Sequence, residues 1–406
     1  MEEKPVYRGI LELMLSCGPR LVYGTGMPDK AKDASPGIHF ESCVNEKAAY
    51  ESALAGAYAS KRTACLFSVE GVYEALDPLM SSAYTGVKGG FVVVCVKEGD
   101  LDVTPLGPFS KLPVLVSDGT PDDLAAALPF AFDVSERYEI PCLLETLPAK
   151  EPFPKAEGSA GAGPSAFVKN QARWAAVPQF RFKLHKELNE KIERIRNEFE
   201  AYSGNVRVLK GRKGVVTHRA CVGRMPQDAS VLALGSVFPL PERLVSAFID
   251  GMEEVAIVEG SHPAIEVQVR GRQRVDGRLR RGEAIISSPI PEDPEELFGL
   301  SVVRDRLGPA SAINLAHGMA KGGRKKILAL TDGNSFLHSG LPAFVNTLYN
   351  GSDYLLAIRT KGKTEQIARI LKGFGFSRFF HLASPGDLSR YAGEGRLTVL
   401  FHEGDL

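Results

Sequence analysis

No two cysteines of this sequence lie close together. The six, Cys17, Cys43, Cys65, Cys95, Cys142 and Cys221, are scattered, and the nearest pair, Cys43 and Cys65, stands 22 positions apart. That spacing excludes CxxC zinc ribbons and the ligand runs of iron–sulfur proteins. Net charge is lacking as well: 49 Lys and Arg face 49 Asp and Glu, which argues against a protein that coats duplex nucleic acid. No window approaches the roughly 18 continuous apolar residues of a membrane helix. The apolar stretch Ile10–Leu15 behind the acidic Met-Glu-Glu-Lys start is too short for a signal segment. Scattered thiols without an export signal predict a cytoplasmic protein. What is present is ordinary for a globular chain: 406 residues, 44% apolar and 24% charged, enough for two or three domains with sizeable cores.

The first 150 residues alternate strand and helix patterns. Strand-like runs fall at Arg20–Tyr23, Thr63–Ser68, Phe91–Lys97, Pro113–Ser117 and Pro141–Thr146, with helix-like runs at Asn45–Ser60, Asp77–Tyr84 and Pro121–Tyr138. Val- and Leu-rich strands without polar alternation are buried on both faces, so a parallel sheet covered by helices is expected. Residues 151–178, dominated by Pro, Gly, Ala, Ser and Lys, read as a linker. A connector helix over 179–203 carries Leu188, Ile192, Ile195 and Phe199 on one stripe. Residues 204–290 hold a second α/β block, with strand Val231–Gly235, helix Pro241–Gly251 and strand Glu254–Val258 forming one βαβ unit. The basic run Arg270–Arg281 reads as a solvated hairpin or as a docking patch for an acidic partner. Residues 291–406 form a third block, with helix Ala310–Ala320, strand Lys326–Thr331, helix Leu341–Tyr349, strand Tyr354–Ile358, helix Lys363–Gly373 and strand Arg396–His402.

Several residues could carry chemistry. Glu46 opens a helix of small residues, where a carboxylate either favours the macrodipole or acts in a site. The glycines of Gly86-Val87-Lys88-Gly89-Gly90 serve a turn or allow close backbone approach to something. Asp332-Gly333-Asn334 stands at the carboxyl end of a strand, where ligands of open parallel sheets bind, and an Asp there suits a hard cation; a plain Asp-Gly turn is the alternative. His338 follows close behind, as a structural or a catalytic histidine.

Taken together these runs resemble the large (alpha) subunit of indolepyruvate:ferredoxin oxidoreductase, a thiamine diphosphate enzyme. The resemblance runs through Tyr23-Gly24-Thr25-Gly26 and Val44-Asn45-Glu46-Lys47, and is closest at Asp77-Pro78-Leu79-Met80 with Ala83–Gly90. It returns at Phe238-Pro239-Leu240-Pro241, at Val258–Glu266 and over Asp332–Asn350. It implies three stacked α/β units: pyrimidine-binding (1–150), transketolase-C-like (204–290) and a shortened diphosphate-binding unit (291–406). It also implies thiamine diphosphate with Mg²⁺, a 2-oxoacid substrate, and a homodimer that shares half-sites between chains. The partners it implies are a small gamma- or beta-type subunit or a ferredoxin; composition and hydropathy add the expectation of no membrane and no nucleic acid. Glu46 matches the carboxylate that sets the tautomer of the aminopyrimidine ring, and Asp332 matches the metal-ligating Asp. The cofactor contacts it implies are Gly24, Thr25, Glu46, Gly86, Lys88, Asp332, Gly333, Asn334 and Lys361, with Glu46 and His338 catalytic.

The departures are as specific. Thr331 replaces a glycine of the metal motif, and Lys361 stands where the family has a second, neutral metal ligand; its ammonium could pair with a diphosphate instead. The helix start Pro309–Asn314 lacks the family's glycines, so its side chains would crowd a phosphate. A Lys-His pair is replaced by Ser68-Val69, and no strand is expected between Gly282 and Arg304. A segment with cluster-ligating cysteines is missing, so no iron–sulfur cluster is expected and electrons would pass to a separate partner. Three readings stay open: a thiamine diphosphate-dependent subunit acting on a 2-oxoacid, a catalytically degenerate relative serving as a binding or regulatory subunit, and a site adapted to another phosphorylated ligand.

Overall fold

The computed structural model describes residues 5–25, 37–148, 170–174, 178–226, 228–260, 262–269, 275–277, 296–305, 308–391 and 395–404. Most of the predicted linker and all six arginines of the Arg270–Arg281 run lie outside the described residues. The chain divides into two compact units, Met1–Ser287 and Ser288–Leu406.

The first unit holds two sheets. Strands β1 (Leu21–Thr25), β2 (His39–Cys43), β3 (Thr63–Ser68), β4 (Phe91–Val96), β5 (Val114–Ser117) and β6 (Cys142–Thr146) form an all-parallel array in the order β5-β6-β4-β3-β1-β2. Strand β4, Phe-Val-Val-Val-Cys-Val, is buried at every position, as a parallel strand covered on both faces must be. The second sheet comprises β7 (Val206–Val208), β8 (Lys213–His218), β9 (Ser230–Leu234), β11 (Glu254–Val258) and β12 (Val275–Asp276). The intervening β10 (Ser236–Phe238) leaves that sheet and pairs antiparallel with β5, making the first sheet seven-stranded. Strand β8, which the sequence reading of this block does not include, lies between β9 and β11 and pairs parallel with both, so the βαβ crossover from β9 to β11 passes over one strand. The connecting helix Pro178–Phe199 buries Leu188, Ile192, Ile195 and Phe199, the predicted stripe.

The second unit is a six-stranded sheet of β13 (Glu296–Leu297), β14 (Leu300–Arg304), β15 (Ile327–Asp332), β16 (Leu355–Arg359), β17 (Phe379–His381) and β18 (Thr398–His402), in the order β13-β14-β15-β16-β18-β17. Strand β14 stands where the sequence reading expects none. Its register with β15 runs from Ser301 opposite Ile327 to Arg304 opposite Leu330. Only Leu300 and Ser301 of its five residues are fully buried, so it lacks the continuous apolar run that marks the other strands.

Candidate functional sites at the carboxyl ends of the sheets

Glu46 occupies a built seat. Asn45 caps its helix, Glu46–Tyr58, and accepts the Ala48 N–H at 2.8 Å; capping is therefore done by Asn45. Glu46 is 7% exposed, and Thr25 at the end of β1 donates its hydroxyl to Glu46 Oε1 at 2.7 Å. On the other side lies Gly71, in the helix Val69–Glu74 that follows β3 and is capped by Ser68. A Cβ on Gly71 would stand 2.8 Å from Glu46 Cγ and 2.9 Å from Oε1, so any larger residue there would displace the Glu46 side chain from this position. The seat thus lies at the carboxyl ends of the adjacent parallel strands β1 and β3, the edge where open α/β sheets bind ligands. Gly24, within β1, pairs in register with Ser42 and Leu66 beside it.

The same edge carries charges that the sequence reading missed. Lys97 follows β4, and Glu145 lies in β6, whose register sets it opposite Cys95. Glu145 is fully buried; its Oε2 accepts the Val103 N–H at 2.7 Å, while Oε1 has no hydrogen-bond partner among the described residues. Burial first, and the nearby Asp102 charge second, push this carboxyl up to about 7. Lys97 donates to the carbonyls of Asp100 and Leu101 at 3.1 and 2.8 Å and stands 3.6 Å from the buried Asp102 carboxylate. Glu259-Gly260 closes over this group: Gly260 has no room for a side chain against Asp102, and Glu259 accepts the backbone N–H groups of Ala264, Ile265 and Glu266. A charged residue ending an otherwise apolar strand was the available signal.

Gly86 and Lys88 are not brought to Glu46. They precede β4, at the amino edge of the sheet. The close approach made by the glycines there is to the chain itself: Gly86 abuts the Glu139 backbone, Gly89 the Lys61 backbone and Gly90 the Glu136 side chain. Lys88 forms an ion pair with Glu139.

In the second unit a cavity of about 200 Å³ opens at the carboxyl ends of β14, β15, β16 and β18, lined by Arg304, Asp305, Thr331, Asp332, Arg359 and His402. Asp332 ends β15 and caps the turn that follows. Its Oδ1 accepts the N–H groups of Asn334 and Ser335 at 2.9 and 3.1 Å, and its Oδ2 accepts the Ser335 hydroxyl at 2.9 Å. Gly333 is buried under Thr360, whose carbonyl would lie 3.0 Å from an added Cβ. Asp305 sits at the start of the helix Ser311–Lys321. Its Oδ1 accepts the Ala312 N–H at 3.0 Å and its Oδ2 the Thr331 hydroxyl at 2.6 Å. Burial raises its carboxyl above the ordinary value. Lys361 is exposed, in a left-handed turn outside the cavity lining; the cation set beside Asp332 by strand register is Arg359. His338 lies in the wide turn Phe336–Gly340 beyond β15, with Nδ1 2.6 Å from the Ser339 hydroxyl, and does not line the cavity.

Comparison with known proteins agrees with the sequence resemblance. Indolepyruvate oxidoreductase subunit IorA of Pyrococcus abyssi is 24% identical over 438 residues, covering 79% of this chain and 67% of its own length. The chain is similar to IorA subunits along most of its length. The IorA of Methanothermobacter thermautotrophicus is 30% identical over 265 residues, covering 59% of this chain and 43% of its own. No protein-family model matches. Among solved structures, a 2-oxoglutarate:ferredoxin oxidoreductase from Magnetococcus marinus aligns with a TM-score of 0.47 at 13% identity, over 61% of this chain and 56% of that one.

Thiamine diphosphate, implied by the resemblance, meets two different environments. A buried carboxylate with a hydroxyl on one oxygen, as at Glu46 and Thr25, suits the aminopyrimidine end. The diphosphate end does not fit the second unit as it stands. The helix start that would face an anion already holds the Asp305 carboxylate, and both oxygens of Asp332 are engaged by its own turn. Among the described residues no group of three His, Cys, Asp or Glu is arranged to hold a metal ion.

Proposed function

We propose that this chain is an IorA-like subunit of an oxidoreductase acting on a 2-oxoacid, in which Glu46 and Thr25 engage the aminopyrimidine end of thiamine diphosphate. The observation that carries this is the Glu46 seat: a buried glutamate, relieved of capping by Asn45, held by a hydroxyl and admitted by a glycine. When bound, the cofactor supplies the carbanion chemistry; the protein's part is to hold a proton position at the Glu46 carboxylate and to keep the ring in a dry pocket. In this reading the chain works as a dimer or beside a small subunit, and its electrons pass to a separate carrier such as a ferredoxin. Mg²⁺ at Asp332, and roles for His338, Gly333, Asn334 and Lys361, belong to the same proposal and have weaker support, because Asp332 is engaged and Lys361 lies outside the cavity.

Asp305 favours a second reading, that of a binding or regulatory subunit, because its carboxylate stands where an anion would. Titration of the full chain with thiamine diphosphate and Mg²⁺ separates the two. Saturable binding that Glu46→Gln weakens at least about tenfold, with an unchanged circular dichroism spectrum, supports the first. No binding at about 10 mM ligand leaves the second.

A further inference from the structure

At the amino edge of the first sheet, three cations are gathered about one glutamate, two on its carboxylate and one on its backbone carbonyl. Glu139 caps the C-terminus of the helix Pro121–Tyr138. It forms ion pairs with Lys88 and, at 2.6 Å, with Arg173, while its backbone carbonyl accepts Lys191 Nζ at 3.1 Å. The Glu187 carboxylate nearby lies 3.7 Å from Lys183, four residues earlier on the same helix. The cluster therefore carries an excess of positive charge in a partly buried setting. Arg173 spends one terminal nitrogen on Glu139 and donates another to the Val87 carbonyl at 2.7 Å, and its buried Nε has no hydrogen-bond partner among the described residues. A cavity of about 210 Å³ opens beside them, lined by Tyr84, Arg173, Lys183 and Lys191 and also by the Glu139 and Glu187 carboxylates, so that three cations face two anions. Uncompensated buried cations are costly, and a bound anion offsets that cost through charge-assisted hydrogen bonds.

We propose that this cavity is a binding site for a small oxyanion, a phosphate or a carboxylate, held by Arg173 and Lys191 with Lys183 at its mouth. The volume admits such a group together with several waters. The cavity lies along Ala83–Thr85, just before the Gly86–Gly90 run. Burial, and secondarily the Arg173 charge, hold the Lys191 amine down to about 8. An anion stabilises the ammonium form, so affinity rises as pH falls through that value.

The single tryptophan, Trp174, reports on the site. Its ring lies 4.7 Å from the Arg173 guanidinium carbon and packs on Tyr58. The full chain is titrated with inorganic phosphate and, separately, with succinate at constant ionic strength, following Trp174 fluorescence and heat. The expected result is a saturable change with one of the two, which assigns the site to phosphate or to carboxylate. Lys191→Gln should weaken it at least about tenfold while Lys191→Arg retains it, and Glu46→Gln should leave it unaltered. The inference is overturned if neither anion binds saturably up to about 10 mM. It is equally overturned if a folded Lys191→Gln variant, checked by circular dichroism, binds like the wild type.

Discussion

Single carboxylates do different work here according to what surrounds them. Glu145 is raised to about 7 by burial, whereas an unfolded glutamate titrates near 4.3. The folded state therefore holds the proton more tightly, and stability falls as pH rises from roughly 4.3 to about 7. Glu145→Gln removes that dependence and keeps an acceptor for the Val103 N–H. The variant should gain at most about 4 kcal/mol over wild type at pH 8 and little at pH 4, as measured by urea denaturation at the two pH values. Equal effects at both would mean that the carboxylate does not titrate in that range. Asp305 acts as an internal anion, with the Ala312 N–H and the Thr331 hydroxyl as its donors. Asp305→Gly vacates the seat, and inorganic diphosphate, which wild type should not bind below about 1 mM, should bind at least tenfold more tightly to the variant. Calorimetric titration decides this, and tight binding by the wild type would remove the argument that the seat is filled.

At the scale of elements, the match with the sequence follows burial. Thr63–Ser68, Pro121–Tyr138 and Glu254–Val258 form as read, residue for residue, because apolar runs bounded by turn residues and a helix with Pro at its first turn carry their signal locally. Strands β8 and β14 were not legible: one starts on an exposed lysine, the other is only partly buried, and both owe their place to pairing with distant strands. The Glu46 helix start was legible, but not the glycine that makes its seat. Gly71→Ala tests that close approach. A methyl group 2.8 Å from Glu46 Cγ must displace the side chain, at a cost of about 1–3 kcal/mol, read as a lowered urea midpoint. The same variant should weaken any ligand that Glu46→Gln weakens.

For the whole molecule, the cysteines acquire a structural meaning. All but Cys43 are buried, and none is in a disulfide. Burial pushes the Cys43 thiol up to about 11, with Glu41 adding to the shift, so even the accessible thiol is a poor nucleophile at neutral pH. A thiol reagent should modify at most one cysteine slowly in the native protein at pH 7.5 and all six after denaturation. Rapid labelling of several would show that these strands are not packed as described. No helix among the described residues is long and apolar enough to cross a membrane.

Composition and local pattern alone determined the α/β class, the succession of most strands and helices, and the resemblance that picks out Glu46 and Asp332. These depend on residues near one another in the chain. Only the tertiary structure decided what those residues do. It set Thr25 and Gly71 against Glu46 across neighbouring strands and turned Asp332 onto its own turn. It also placed Asp305 at a helix start and gathered Lys88, Arg173 and Lys191 about Glu139. Hydrogen bonds and charges act through space, and groups that meet in these sites, such as Lys88 and Lys191, are 103 residues apart in the sequence.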